Sequence, residues 1–128
     1  MRTAAAVSVA VCAAACVAAL YVGWVPGQPE AEIPAHDVLI AMGAARPGCG
    51  GDCYDPPIIE AGAGAEVLWF NADTGFHTVT SGPYGGHDGA FDSGRIGPGG
   101  SYSALLEPGR HAYHCALHPW MHGIVVVG

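Results

Sequence analysis

Downstream of residue 35, apolar and β-branched residues fall into short runs separated by glycine and proline. Residues 36–42, 58–60, 66–71, 76–81, 101–106, 111–115 and 123–127 each have the length and composition of a strand. Turn signals such as Gly62-Ala63-Gly64 and Pro108-Gly109 lie between them. No stretch beyond residue 35 keeps apolar residues at helical spacing for long enough to form a stable helix. Seven or eight short strands separated by turns predict an all-β domain built as a β-sandwich.

The N-terminal pattern differs. After Met1-Arg2-Thr3, residues 4–25 contain no charge, and Pro26, Gly27, Pro29 and Glu30 close the run. A positive start followed by an apolar stretch describes a secretory signal peptide, and about 20 apolar residues also span a bilayer as one helix. Both readings stand: Val17-Ala18-Ala19 is a vague cleavage pattern, and the alanine content makes a weak anchor. Cys16 lacks the bulky aliphatic residue that a lipid-anchor site carries three positions earlier, so Cys12 and Cys16 read as small apolar residues of this segment. Arg2 at the inner end places the C-terminal domain outside the cytoplasmic membrane. The organisation expected is a signal peptide or anchor helix over 1–25, a Pro/Glu linker over 26–35 and a folded domain over 36–128. Membrane contact then comes only through residues 4–25, if they are retained.

Composition sharpens this picture. The chain has 4 Lys+Arg against 11 Asp+Glu, and all four cations are arginines: Arg2, Arg46, Arg95 and Arg110. Nucleic-acid binding through a basic surface is excluded on that count. Without Arg2, Glu30 and Glu32 the domain keeps 3 positive and 9 negative residues, a net charge of −6, which suits a basic or neutral partner surface. With 20 Gly, 10 Pro and 12% charged residues the composition is unlike a helical bundle, and 51% hydrophobic content is unlike a disordered chain.

The chemistry concentrates in Cys115-Ala116-Leu117-His118-Pro119-Trp120-Met121, expected as a loop between two strands. Thiolate plus imidazole suits copper or zinc, and a thioether as weak axial ligand favours a copper electron-transfer site. A second imidazole is needed, and His77 supplies it best, from a β-type segment 38 residues upstream. Cys115 as a buried thiol, His77 as a satisfied strand histidine and Met121 as a core side chain are the plain alternatives. His114 should point to the opposite side of its strand from Cys115. His122 reads as a surface residue or redox-linked pH sensor, and His36, His87 and His111 as surface residues, with His87-Asp88 a weaker accessory metal candidate. Cys49 and Cys53 flank Gly50-Gly51-Asp52. In an exported domain a disulfide is favoured over metal binding by this pair. No Ser/His/Asp, paired-carboxylate or phosphate-loop arrangement points to an enzyme.

Taken in order, Trp69-Phe70-Asn71, His77-Thr78-Val79-Thr80-Ser81, Phe91-Asp92-Ser93-Gly94, Pro108-Gly109, Tyr113-His114-Cys115, His118-Pro119-Trp120-Met121 and Gly123 resemble the cupredoxins, the type 1 (blue) copper proteins of the plastocyanin and amicyanin kind. The Cys-x2-His-x2-Met spacing is similar to the short ligand loop of amicyanin. The resemblance implies a Greek-key sandwich with one copper at one end, bound by His77, Cys115, His118 and weakly by Met121, and a Thr78 backbone N–H aimed at the thiolate. It implies single-electron transfer between redox proteins docking near His118, Pro119 and Trp120, outside the cytoplasmic membrane. A monomer is expected. Copper delivery or storage through the same ligands is the alternative function.

Overall fold

A computed structural model of the chain describes residues 33–128, and the signal or anchor expected over 1–25 lies outside them. Eight strands follow in order: β1 (Val38–Ile40), β2 (Tyr54–Asp55), β3 (Ile58–Ala61), β4 (Glu66–Asn71), β5 (Thr80–Ser81), β6 (Ser101–Leu105), β7 (Gly109–Cys115) and β8 (His118–Val127). They form two four-stranded sheets, ordered β2-β1-β4-β6 and β3-β8-β7-β5. In each sheet one pair is parallel, β1 with β4 and β3 with β8, and the other pairs are antiparallel. Parallel neighbours require crossovers rather than hairpins, so the chain passes repeatedly from one sheet to the other.

Alternation explains which face each strand buries. Along β8, Met121, Gly123, Val125 and Val127 are buried while His122 is exposed and Ile124 and Val126 are partly covered. Their inward side meets Val38, Ile40, Val67 and Trp69 of the other sheet in one core that also holds Tyr54, Val79, Tyr113 and Cys115. Fully burying an aliphatic side chain of this kind contributes about 1.5–3 kcal/mol. Trp69 lies at the centre, edge-on to Tyr113 with ring centroids 5.5 Å apart and tilted against Tyr102 at 5.7 Å.

β5 and β2 depart from expectation. Of residues 76–81 only Thr80–Ser81 forms a strand. His77 instead makes an isolated bridge to Ile96, and Val79 N–H is taken by the Ser93 hydroxyl. β2 is too short to show a period in sequence and pairs with β1 through Leu39↔Asp55 and Ile40↔Tyr54. A disulfide joins Cys49 to Cys53 just before β2, as expected.

Candidate metal centre

The site forms where the β7–β8 hairpin meets the segment between β4 and β5. Cys115 ends β7, His118 begins β8, and they pair across the two-residue turn Ala116-Leu117. The next ladder pair is His114↔His122, so Pro119, Trp120 and Met121 stand unpaired between these two rungs as an irregularity of β8. What the sequence suggested as a loop is therefore a bulged strand. The bulge lets both His118 and Met121 turn toward Cys115's side of the sheet, and Met121 is fully buried.

His77 comes from the other side. Two backbone bonds with Ile96, His77 N–H to its carbonyl at 3.1 Å and the return bond at 2.7 Å, fix the segment. Asn71 braces the preceding turn: its side-chain amide donates to the carbonyls of Gly75 and Ile96, and its oxygen accepts Asp73 N–H at 2.9 Å.

Cys115 Sγ stands 3.5 Å from His118 Nδ1 and 3.9 Å from His77 Nδ1, and all three donor atoms lie within 4.8 Å of one another. Donors about 2.0 and 2.3 Å from one ion and about 110–120° apart are separated by about 3.5–3.7 Å. The observed spacing is therefore that of ligands sharing one metal, and His, Cys and His with a buried Met fit a type 1 copper set. Cys115 and His77 are buried and His118 half-buried. Thr78 N–H points at Sγ from 3.3 Å, as the resemblance implied.

The electrostatics prepare the thiolate. Burial pushes the Cys115 thiol up, but the contacts from His77, Thr78 N–H and His118 outweigh it and hold the group at about 6. Burial pulls His77 down, while Cys115 and Asp73 more than offset this and raise it. Tyr54 sits beneath the site, its hydroxyl donating to the Thr78 carbonyl at 2.5 Å. Burial and then the nearby Cys115 charge push its phenol well up, so it stays neutral.

Contacts around the ligand turn hold it still. Ala116 N–H donates to Thr78 Oγ1 at 2.8 Å, and Thr78 and Thr80 hydroxyls lie 2.9 Å apart. Thr80 in turn donates to Asp92 at 3.1 Å. Trp120 Nε1–H donates to the Ala44 carbonyl at 2.8 Å, so the turn following β1 walls the site.

Sequence reasoning did not find Asp73, Tyr54 or that wall. The signal for Asp73 is its position four residues before His77. His114, though buried, faces away from the donors: it bonds the Gly82 carbonyl at 2.6 Å and meets Tyr84 edge-on. His36, His87 and His122 are exposed and His111 is half-exposed.

No family model matches the chain, and no curated protein matches it. Among solved structures it is similar to a purple cupredoxin from Nitrosopumilus maritimus. Identity is 29%, the match covers 71% of this chain and 97% of that one, and the TM-score is 0.65. It is also similar to a copper-containing nitrite reductase from Thermus scotoductus SA-01, at 27% identity over 59% of this chain and 20% of that one, with a TM-score of 0.51. An oxidised amicyanin variant matches at 31% identity over 56% of this chain and 70% of that one, with a TM-score of 0.49.

Proposed function

Since the chain belongs to the cupredoxins, we propose that it is a type 1 copper protein carrying single electrons between redox partners outside the cytoplasmic membrane. The observation that carries this reading is the buried His77, Cys115, His118 triangle, with donors at metal-sharing distances and Met121 buried beside it. His77, Cys115 and His118 would hold the copper strongly and Met121 weakly. Bound copper supplies a one-electron Cu(II)/Cu(I) couple.

The chain's own residues do the rest. Thr78 N–H and the Thr78 and Thr80 hydroxyls hold Cys115 and its turn in one arrangement. Little then moves when charge changes at the site. Burial of Cys115 and His77 excludes water and exchangeable ligands, which supports a carrier over a delivery or storage protein. Among the described residues this is the one group of three such donors lying close together.

Half-buried His118 is the ligand nearest solvent, with Trp120 5.1 Å away. Leu117 is 38% exposed in the ligand turn, and Phe76, next to His77, is 54% exposed. Apolar side chains around an exposed ligand edge support docking of a redox partner here, around His118, Pro119 and Trp120, through a small transient interface. The Cys49–Cys53 disulfide and the uncharged run over 4–25 support an extracytoplasmic location.

The test is the visible spectrum of the Cu(II)-loaded protein. An intense thiolate-to-copper band is expected, bleaching on reduction, returning on oxidation and absent in Cys115→Ser. Met121→Leu should keep the band and shift the potential. Weak d–d absorption alone, or copper that leaves on reduction, would sink electron transfer and favour delivery or storage.

A further inference from the structure

Asp73 is a buried carboxylate, 4% exposed, with neither lysine nor arginine beside it; its side-chain partner is His77. Burying a carboxylate is costly unless hydrogen bonds replace its water. Three donors do so here. Gly43 N–H reaches Oδ1 at 2.9 Å, Ala45 N–H reaches Oδ2 at 3.1 Å, and His77 Nε2 lies 2.7 Å from Oδ2. Both carboxylate oxygens therefore accept N–H donors in place of water.

An ionised carboxylate only accepts hydrogen bonds. His77 Nε2 must therefore carry a proton, which leaves Nδ1, on the Cys115 side, as the ring nitrogen that would bind a metal. A backbone carbonyl would fix that tautomer equally well. A carboxylate does more: it raises the basicity of the imidazole and adds a fixed negative charge behind it, both of which favour the more highly charged ion.

The surroundings are built for this pair. A Cβ on Gly75 would stand 3.0 Å from Ala45 Cβ, 3.4 Å from Asp73 Oδ2 and 3.7 Å from His77 Nε2, so glycine lets the turn close over the pair. Gly43 has a φ of 88°, in the left-handed region, which turns its N–H onto Oδ1. Ala44, between the two backbone donors, accepts the Trp120 indole N–H through its carbonyl. One carboxylate thus ties His77 to a turn that also touches the strand bearing His118 and Met121.

We propose that Asp73 is a positioning residue of the copper site, orienting His77 through Nε2 and lowering the reduction potential by favouring Cu(II) over Cu(I). The inference rests on the copper reading above.

The experiment compares reduction potentials of the copper-loaded full chain, Asp73→Asn and Glu60→Gln. Glu60 is exposed on β3, and its substitution removes the same unit of charge away from the metal. In Asp73→Asn the thiolate-to-copper band is expected to persist. The Cu(II)-to-Cu(I) affinity ratio should fall about tenfold, raising the potential by about 59 mV for one electron, with no shift in Glu60→Gln. A potential in Asp73→Asn equal to wild type, or equal loss of affinity for both oxidation states, overturns the proposal and leaves Asp73 a structural residue. A second measurement needs no variant. In the diamagnetic Cu(I) form the His77 Nε2–H proton should resonate downfield of that of His118, and a His77 proton no further downfield overturns the proposal. Absence of the thiolate band in wild type instead overturns the copper reading, and this inference with it.

Discussion

Gly123→Ala tests whether the aromatic core is as rigid as the fold implies. Gly123 pairs with Tyr113 across β7 and β8, and the tyrosine ring lies over it. A Cβ at position 123 would stand 2.4 Å from both Cζ and Oη of Tyr113 and 2.9 Å from Cε1. Carbon atoms in ordinary contact are about 3.5–4.0 Å apart, so the ring must retreat by about 1 Å. It has nowhere to go. Tyr54 meets it edge-on at 4.7 Å and Trp69 at 5.5 Å, both fully buried. Tyr54 also bonds the Thr78 carbonyl, and Thr78 N–H reaches Cys115, so displacement is passed to the thiolate.

Over-packing of this kind typically costs about 1–3 kcal/mol, and a rigid aromatic neighbour puts the expected loss near about 3 kcal/mol. For a domain of this size that lowers the thermal midpoint by about 12–24 °C. Urea unfolding of the metal-free protein should show the same loss as a lower midpoint at unchanged slope. A double-mutant cycle with Tyr113→Leu assigns the cause: the paired change should be less damaging than the summed single changes by about 1.5 kcal/mol or more. A loss below about 1 kcal/mol, or strictly additive losses, would refute the claim that a fixed Tyr113 ring requires glycine at 123.

Two pH-dependent predictions accompany it, both for the metal-free protein. The ultraviolet thiolate absorbance assigned to Cys115 by its loss in Cys115→Ser should titrate with a midpoint of about 6, against the ordinary 9.0; a midpoint above 8 would show that the thiolate is not prepared by the fold. Asp73 is lowered in the folded state from 3.8, so its stabilisation is full above that pH and is lost as pH falls below it. Asp73→Asn should therefore be less stable than wild type by about 2–4 kcal/mol at neutral pH. The gap should narrow on acidification, and a gap that does not change with pH would contradict an ionised carboxylate.

The parts of the site legible in sequence are those that are contiguous. Cys115, His118 and Met121 fall within seven residues, and β4 coincides with the apolar run over 66–71 because its alternation is strong. Thr78 came from the resemblance to the cupredoxins, whereas His77 was found because an incomplete donor set required one more imidazole. Asp73 was not, because an acid in Asn71-Ala72-Asp73-Thr74-Gly75 has the composition of an exposed turn, where aspartate usually serves the backbone. Only the Ala41–Arg46 turn folding back across the chain buries it, and its donors lie 28 and 30 residues away. Tyr54 was hidden for a similar reason: two residues of strand beside Pro56 and Pro57 carry no periodicity. The long strand β8 begins at His118 rather than at residue 123, because the bulge accommodates Pro119 without a ladder hydrogen bond.

Charge accounting shows why a distant acid matters in such a fold. With copper bound, the thiolate of Cys115 and the carboxylate of Asp73 would together offset the two positive charges of Cu(II), making the oxidised site neutral overall. An added electron would leave one net negative charge beside the buried Asp73, His77 and Cys115, and burying net charge is unfavourable. Without Asp73 the same arithmetic reverses: the oxidised site carries the net charge and the reduced site is neutral. The nearest compensating groups are backbone N–H dipoles from Gly43, Ala45 and Thr78 rather than side-chain cations, in a chain with no lysine and only 12% charged residues. Dipoles fixed by the fold cannot follow the electron as mobile cations would, so the carboxylate's preference for the oxidised ion is compensated little. A site that is rigid for fast transfer is for the same reason sensitive to one buried charge.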